Sequence, residues 1–234
     1  DKKLITSHYP NLENPEPQYE FLYDLLNKSG SHIVCLSDRI QKEFVNRGCD
    51  STNVSILPCG IDVDLYSMDE KNVLHTDRSI VVGKVEPRKR QSFLQGKNLN
   101  IDFIGNNVDP SFDTNDPCYF GEQSKQDIMD NLTSYANMVL LSSGEAHPFV
   151  CLEGMAAGLG LVLSEQSTAN LDLSKPFITV IPDNKLDDTE FLKNKIEENR
   201  KISLPMRREI RQYCKDNFDW CVIIEKYKEI IDSI

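Results

Sequence analysis

The sequence predicts an α/β protein with parallel strands and a doubly wound second domain. Short apolar runs alternate with stretches of helical periodicity along most of the 234 residues, a pattern typical of repeated strand–helix units. Runs such as Ile80-Val81-Val82 and Val139-Leu140-Leu141 are apolar on both faces. Strands have this character when helices cover both sides of a parallel sheet. Ligands of such sheets bind beyond the carboxyl ends of the strands.

The first part of the chain predicts a small α/β unit. Its apolar runs indicate strands, and apolar residues at helical spacing indicate two helices. Ser37 is expected to cap the second helix, and Gly48 to end it. The predicted strands are Leu4–Thr6, Ile33–Leu36 and Val54–Leu57, and the first helix runs from Tyr19 to Asn27.

Residues 67–78 are polar and without periodicity, which predicts a linker between residues 1–66 and a second domain at 79–217. Residues 218–234 are predicted to form a separate C-terminal helix. Strands are expected at Ser79–Gly83, Ile101–Ile104, Tyr119–Phe120, Met138–Leu141, Leu161–Ser164 and Ile178–Ile181. Helices are expected at 88–96, 123–135, 149–157, 188–200, 205–216 and 219–232.

Composition argues against several classes of protein. A formal net charge of −11 makes the chain a poor binder of nucleic acid, because phosphate contacts need clustered cations. No apolar run approaches the 18 residues of a membrane-spanning helix. The seven cysteines are odd in number and include no C-x-x-C pair. They indicate buried thiols in a reducing compartment, so we expect a cytoplasmic protein.

The first candidate site segment runs from Gly83 to Lys89. A glycine ends a strand there, and cations follow at the start of the next helix. Backbone N–H groups and the helix dipole favour a phosphate at such a position, and Lys84 or Lys89 would supply charge. A solvated helix start is the other interpretation of these cations, and both stay open.

The second segment, residues 142–158, holds two glutamates eight positions apart. Glu145 lies in a loop after a strand, and Glu153 lies inside the apolar helix that follows, which we expect to begin near Pro148. Glu153 is either a structural carboxylate on the helix face or an acceptor for ligand hydroxyls. Two glycines, Gly105 and Gly121, follow other strands, where they allow either close approach of a ligand or a tight turn.

Four stretches, in order, resemble the retaining GT-B glycosyltransferases of family 4. The resemblance covers roughly residues 31–165. The segments 33–37 and 57–62 are similar to "v-x-S-e … i-P-N-G-V-D", and 82–89 to "v-G-R-l-x-x-x-K". Residues 119–121 with 135–143 resemble "f-x-G … y-x-x-A-d-v-x-v-x-P-S", and 145–158 resemble E-x7-E followed by "a-M-a-a-G".

The resemblance implies roles for the charged residues. Lys89 matches the lysine that neutralises the donor pyrophosphate. Lys84 stands where the family usually has arginine, and lysine keeps the positive charge but cannot form the bidentate hydrogen bonds of a guanidinium. Glu153 matches the glutamate that binds the ribose hydroxyls. Glu145 matches the glutamate near the transferred sugar. His8 is similar to the family's first-domain histidine at the sugar, with a solvent-facing turn histidine as the alternative.

The resemblance also implies that backbone amides of residues 147–150 hold the β-phosphate. His147-Pro148 replaces the usual Phe-Gly, and Pro148 has no N–H, so Phe149 and Val150 must supply the donors. His147 either adds a donor or fills space. Gly83 belongs to the same nucleotide cradle, and the backbone around Gly121 is expected to contact the base.

The function implied is a metal-independent transferase that moves a sugar from a nucleotide-diphosphate sugar with retention and uses no cofactor. Same-face attack and a covalent intermediate both stay open. The first domain is shorter than the family's, and the C-terminal helix is expected to pack back onto it. The acceptor (a glycan, a lipid or a small molecule) and any peripheral membrane contact cannot be read from the sequence.

Three alternatives remain. One is a nucleotide-sugar-binding module without catalysis, completed by a partner chain. Another is a GT-A transferase in which Asp62-Val63-Asp64 binds a metal ion. The third is a sugar epimerase on the same fold.

Overall fold

The first sheet is small and entirely parallel. The computed structural model describes residues 4–7, 24–68 and 73–234. Strands β1 (Leu4–Ser7), β2 (His32–Cys35) and β3 (Val54–Ile56) pair in that order. Helix α1 is described over residues 24–29, and α2 covers Asp38–Asn46. One core of apolar side chains joins α1, α2 and the sheet: Leu26, Ile33, Cys35, Ile40, Phe44, Cys49 and Val54.

The second sheet has five parallel strands. They are β4 (His75–Val82), β5 (Ile101–Ile104), β6 (Tyr135–Leu140), β7 (Gly160–Ser164) and β8 (Ile178–Ile181), in the order β5-β4-β6-β7-β8. The helices are α3 (Gln91–Leu94), α4 (Lys125–Asn131), α5 (Phe149–Ala156), α6 (Thr189–Ser203), α7 (Arg207–Phe218) and α8 (Trp220–Ser233). Helices of 3-10 type include Val63–Leu65, Pro87–Lys89 and Leu132–Ser134.

Both faces of this sheet are buried, as the apolar runs predict. Met138 and Leu140 of β6 point into a core formed with α5 and α7, whereas Val139 points into the opposite core with α6. Strand residues alternate between faces, so each apolar run contributes to both cores. The predicted doubly wound α/β fold is therefore confirmed.

Several element boundaries differ from the predictions. Tyr119–Phe120 form no strand, because only one bridge joins Tyr119 to Phe103. The predicted helix 88–96 is broken at Arg90, whose φ of 57° is left-handed. Helix 123–135 ends early, since Tyr135 already begins β6. Helix α5 begins at Phe149, with Pro148 as its N-cap rather than its first residue.

The polar segment and the first helix cap also differ. Strand β4 begins at His75, so it includes the last four residues of the predicted linker. Ser37 occupies the N-cap position of α2, but its side chain forms no capping hydrogen bond. The predicted helix Tyr19–Asn27 lies partly outside the described residues, and its described part continues to residue 29.

The start of α8 contacts the segment that follows β3. The Ile61 N–H donates to the Phe218 carbonyl at 2.9 Å, and the Trp220 N–H donates to the Ile61 carbonyl at 3.1 Å. A Cβ atom on Gly60 would lie only 2.5 Å from the Trp220 ring. The C-terminal segment thus returns to the end of the first sheet. Among the described residues, no helix is both long and apolar enough to cross a bilayer.

Candidate functional site

The predicted site segments follow the two strands at the topological switch point of the second sheet. Strands β4 and β6 are neighbours, but the connection after β4 leads to β5 on one side and the chain after β6 leads to β7 on the other. Ligands of doubly wound sheets bind at this point, beyond the carboxyl ends of the strands. The residues after β4 and those after β6 therefore form the two walls of one cleft.

Three glycines line the wall after β4 and β5. Gly83 has a φ of 135°, and Gly105 has a φ of 148°. A Cβ atom on Gly105 would overlap the carbonyl oxygen of Gly83. The Gly105 N–H donates to the Gly121 carbonyl at 2.8 Å, and the Tyr119 hydroxyl donates to the Gly105 carbonyl at 2.7 Å. For Gly105 the structure shows the tight turn, with the Gly83 backbone where a Cβ atom would lie, and close approach of a ligand stays a prediction.

A cavity of about 310 Å³ opens beside these glycines. Its lining combines the strand ends with the start of α4: Val82, Gly83, Lys84, Ile104, Gly105, Asn106, Glu122, Gln123 and Ile128. Lys84 is exposed at its edge. Four of the nine lining residues carry polar or charged side chains: Lys84, Asn106, Glu122 and Gln123.

Lys89 points back toward the end of β4. A Cβ atom on Gly83 would lie 2.8 Å from the Lys89 ammonium nitrogen. The Lys89 N–H donates to the Glu86 carbonyl at 2.9 Å, but its ammonium has no hydrogen-bond or ion-pair partner among the described residues. The Lys89 ammonium therefore lies directly against the glycine that ends β4.

Arg88 is the partner of Glu145. Its Nη1 lies 3.0 Å from Glu145 Oε1, and its Nη2 lies 2.7 Å from Glu86. The Glu145 contact is an ion pair without hydrogen-bond geometry, since the buried Oε1 atom has no hydrogen-bond partner. Arg88 also donates to the Gly144 carbonyl. The guanidinium therefore ties the loop after β4 to the loop after β6.

The N-terminus of α5 faces the same region. The N–H of Cys151 donates to the Pro148 carbonyl at 3.0 Å. Within the described chain, the N–H groups of Phe149 and Val150 have no backbone acceptor. These are the free donors of a helix start, where the helix dipole adds partial positive charge. These donors can bind an anion, and the phosphate-binding role that the resemblance implies for Phe149 and Val150 stays a prediction.

Glu153 is buried among polar partners rather than on an open helix face. It is 7% exposed and accepts hydrogen bonds from the Tyr66 hydroxyl at 2.9 Å and from the Lys125 ammonium. Burial and the Glu153 carboxylate raise the pKa of Tyr66 well above its ordinary value, so its hydroxyl stays protonated and donates. Glu153 therefore does not lie on an open helix face; its contacts with Tyr66 and Lys125 fit a structural carboxylate, and its role as an acceptor for ligand hydroxyls stays a prediction.

The charges of Lys89, Glu145 and Glu153 all act on one buried thiol. Burial raises the pKa of Cys151 most strongly; the two carboxylates add to this rise, and Lys89 opposes it. The structure thus brings together, around the first two turns of α5, three residues that lie in two separate sequence segments.

His147 points away from the cleft. Its Nδ1 pairs with the Asn170 amide nitrogen at 3.0 Å, and its ring lies 5.9 Å from the Phe218 ring. Burial lowers the pKa of His147 to about 4, although the backbone of Ala169 and Cys59 favours the protonated ring. The Nε2 atom is buried without a well-aligned hydrogen bond. The ring therefore fills space between the two sheets, and a binding role for it stays a prediction.

His8 lies outside the described residues. The structure gives specific contacts to three residues to which the sequence assigned no individual role: Arg88, Tyr66 and Lys125. In the sequence, Arg88 is only one cation of a basic run, and Tyr66 lies at the end of the predicted first domain. No local pattern distinguishes Lys125 from other helix-start lysines, because its partners are 59 and 28 residues away.

The Asp62-Val63-Asp64 triplet is used structurally. Asp62 caps the Val63–Leu65 turn by accepting from the Asp64 N–H at 3.2 Å. Asp64 pairs with Lys215 at 3.0 Å and with Arg211 at 3.5 Å. Since the two carboxylates serve different partners, they do not form the paired ligands that a D-x-D metal site needs.

A second cavity, of about 250 Å³, lies between α2 and the turn after β7. Arg39 of α2 crosses it to donate to the Gln166 side chain at 2.5 Å. Glu145 lines this cavity as well. Glu145 therefore stands between the first-sheet unit and the cleft at β4 and β6.

Comparison with solved structures identifies the fold. HepE of Anabaena, in a complex with UDP and glucose, matches all of this chain over 72% of its own length, with a TM-score of 0.74 and 15% identity. Sucrose-phosphate synthase of Thermosynechococcus elongatus matches 98% of this chain over 67% of its length, with a TM-score of 0.73 and 14% identity. The glycosyltransferase WaaG matches 86% over 62% of its length, with a TM-score of 0.61 and 16% identity.

No protein-family model and no curated protein sequence matches the chain. The structural neighbours are GT-B glycosyltransferases. The chain therefore has a GT-B-like α/β fold with a Rossmann-like second sheet, as the sequence resemblance predicted.

Proposed function

We propose that this chain is a metal-independent retaining glycosyltransferase, similar to family 4, that takes its sugar from a nucleotide-diphosphate sugar. One observation carries the proposal. The unpaired Lys89 ammonium lies against Gly83 at the end of β4, and the free N–H groups and the buried Glu153 belong to the first turns of α5, the helix that follows β6. A nucleotide-diphosphate sugar carries a pyrophosphate between a ribose and a sugar ring. The cation and the N–H groups match the pyrophosphate, and the carboxylate matches ring hydroxyls.

In this proposal the protein supplies the positive charge that the leaving group needs. Lys89 and Lys84 neutralise the pyrophosphate, and the N–H groups of Phe149 and Val150 bind its β-phosphate. Charge develops on the nucleoside diphosphate as the glycosidic bond breaks, so fixed donors stabilise the transition state more than the ground state. This is the role that a metal ion takes in other transferases.

The two glutamates bind opposite ends of the donor. Glu153 accepts from the ribose hydroxyls, and Glu145 lies near the transferred sugar. The base is proposed to occupy the cavity lined by Gly105, Glu122 and Gln123, next to Gly121. His8 is proposed to face the sugar from the first domain, and the acceptor to enter from the cavity between α2 and Glu145.

Two further points of the proposal concern donor and compartment. Because HepE was solved with UDP and glucose, UDP-glucose is the first donor to test. A cytoplasmic location accords with the seven cysteines, which are all free thiols.

Donor binding is the first test. We expect one of the UDP-, GDP-, ADP- or TDP-sugars to stabilise the wild type with or without EDTA, since the chain itself supplies the cations. At 100 times its Kd the donor adds about 2.7 kcal/mol to the free energy of unfolding, which is roughly 5–10 °C in a protein of this size.

Variants locate the binding site. Lys89→Met should weaken the same donor about 10- to 100-fold, because it removes a charged hydrogen-bond donor. Lys201→Met, which removes an exposed lysine of α6, is the matched control and should bind as the wild type does. Equal affinities of the two variants would exclude the proposed pyrophosphate site.

Turnover tests the catalytic part. We expect slow release of the free sugar from the bound donor in EDTA, with the sugar first appearing in the donor's anomeric configuration by NMR. Tight binding without release or transfer would instead favour a nucleotide-sugar-binding module. Release that requires Mn²⁺ would contradict metal independence.

A further inference from the structure

Lys125 is the cation closest to the proposed ribose position, and neither the sequence motifs nor the resemblance assigns it a role. It is the first residue of α4. Its ammonium donates both to the Glu153 carboxylate and to the Tyr66 hydroxyl, the latter at 2.8 Å. The three side chains come from α4, α5 and the segment after β3, so only the folded chain brings them together.

The aromatic rings beside Lys125 hold its ammonium in place. The nitrogen lies 5.4 Å from the centre of the Tyr66 ring and 5.6 Å from that of Phe149. Both distances fall within the range of cation–π attraction. Phe149 is also the first residue of α5. The ammonium therefore sits beside the start of α5 and does not move freely as a surface lysine would.

The hydrogen-bonding capacity of this group is only partly used. The Tyr66 hydroxyl and the Lys125 ammonium both donate to Glu153 Oε1, and Oε2 has no partner among the described residues. Since Oε2 is not fully buried, it remains accessible to a ligand. An ammonium has three N–H donors, and two of them are taken here, one by Glu153 and one by Tyr66.

The side chain of Lys125 is 52% exposed, whereas that of Glu153 is 10% exposed. A ligand that reaches Glu153 from solvent therefore passes the ammonium. One free acceptor and one free donor lie side by side on the same ion pair. A vicinal diol matches this pair, because one hydroxyl can donate to the carboxylate while its neighbour accepts from the ammonium.

Resting on the proposed function, we propose that Lys125 is a specificity-determining residue that, with Glu153, binds the 2′,3′-diol of the donor ribose at two points. Tyr66 is the positioning residue that turns Oε2 of Glu153 toward the ligand by holding Oε1. The site therefore selects ribonucleoside diphosphates over their deoxy counterparts.

The test is a coupling experiment on the full chain. The dissociation constants of UDP, GDP and ADP are measured by calorimetry on the wild type. The tightest of these is then compared with its 2′-deoxy and 3′-deoxy counterparts on wild type, Lys125→Met and Lys201→Met. Thermal unfolding of each unliganded variant checks that the half-exposed Lys125→Met substitution leaves the fold intact.

We expect Lys125→Met to weaken the ribonucleotide about tenfold or more, as removal of a charged hydrogen bond does. It should weaken one of the two deoxy nucleotides to a similar degree. The other deoxy nucleotide, which lacks the hydroxyl that Lys125 contacts, should change less than twofold. Such non-additivity shows a direct contact between the ammonium and that hydroxyl.

Two results would overturn the inference while leaving the proposed function intact. Equal weakening of all three nucleotides by Lys125→Met would mean that the lysine attracts the nucleotide only as a positive charge, without contacting a ribose hydroxyl. Unchanged affinities would place the ribose elsewhere. A wild type that binds no nucleoside diphosphate would instead refute the proposed function, and the diol site with it.

Discussion

At the scale of single residues, the site depends on backbone that only glycine can form. Gly105 combines a φ of 148° with a carbonyl oxygen in the space where its Cβ would be. Its φ lies in the region that L-residues rarely adopt, and the oxygen belongs to rigid backbone of Gly83. A side chain at Gly105 would therefore push apart the two loops that line the cavity.

We predict that Gly105→Ala lowers the free energy of unfolding by about 3 kcal/mol or more, since both strain and overlap must be relieved. Gly96→Ala is the control, because Gly96 has a φ of 70° but nothing within 4 Å of its Cβ position. Strain alone should cost that variant about 1 kcal/mol. Urea unfolding measures both, and equal losses would show that the overlap relaxes without cost.

At the scale of elements, buried arginines join helices to loops through carbonyl oxygens. Arg207, at the start of α7, is 2% exposed. It donates to the carbonyls of Tyr135 at 2.8 Å, Thr133 at 2.6 Å and Ala157 at 3.1 Å. These carbonyls lie at the start of β6, just before it, and at the end of α5. Arg207 thus fixes α5 and α7 against the sheet that positions the site.

We predict that Arg207→Met costs about 3–5 kcal/mol of stability, because three buried carbonyls lose a charged donor. Lys215→Met, on the same helix, is the matched control. Lys215 forms an exposed ion pair with Asp64 at 3.0 Å, which is worth about 0.5 kcal/mol. Chemical denaturation of both variants gives the comparison. A loss below about 1 kcal/mol for Arg207→Met would mean that water replaces the guanidinium.

At the scale of the whole molecule, a small polar junction connects the two sheets. The Asn170 amide donates to the Leu36 carbonyl, at the end of the first sheet, at 2.7 Å. The same amide meets His147 Nδ1, which belongs to the loop before α5. His147 therefore lies where the two sheets meet.

The lowered pKa of His147 predicts a pH dependence of stability. Its pKa is about 4 in the folded protein and 6.5 for the ordinary group. Between these values the unfolded chain binds the proton more readily, so the free energy of unfolding falls as pH decreases. For this residue alone the loss between pH 7.5 and pH 5 is about 2 kcal/mol.

The measurement is urea unfolding of wild type and His147→Gln at both pH values. Because other groups titrate equally in the two proteins, the wild type should lose about 2 kcal/mol more than the variant. Identical losses would show that the ring is not buried in its neutral form.

Much of the fold could be predicted because it depends on local periodicity. The runs that alternate between two cores, such as Val139-Leu140-Leu141, predicted the parallel sheet. The β propensity of the aromatic pair predicts a strand at Tyr119–Phe120. This prediction is wrong, because the pair forms only one bridge, between Tyr119 and Phe103. Helix 88–96 was wrong because Arg90 adopts φ 57° while its guanidinium reaches the Leu141 carbonyl at 3.1 Å. That contact is with a residue far along the chain.

The sequence by itself determined the strand–helix order and which carboxyl ends carry glycines, cations and glutamates, because these follow from neighbours within a few positions. Tertiary structure alone decided the partners. It joined Glu153 to Tyr66 and Lys125, and Glu145 to Arg88. It also turned His147 inward to the junction of the sheets. Side-chain contacts between residues 28 to 87 positions apart depend on how strands are ordered and helices pack, and local sequence does not encode that order.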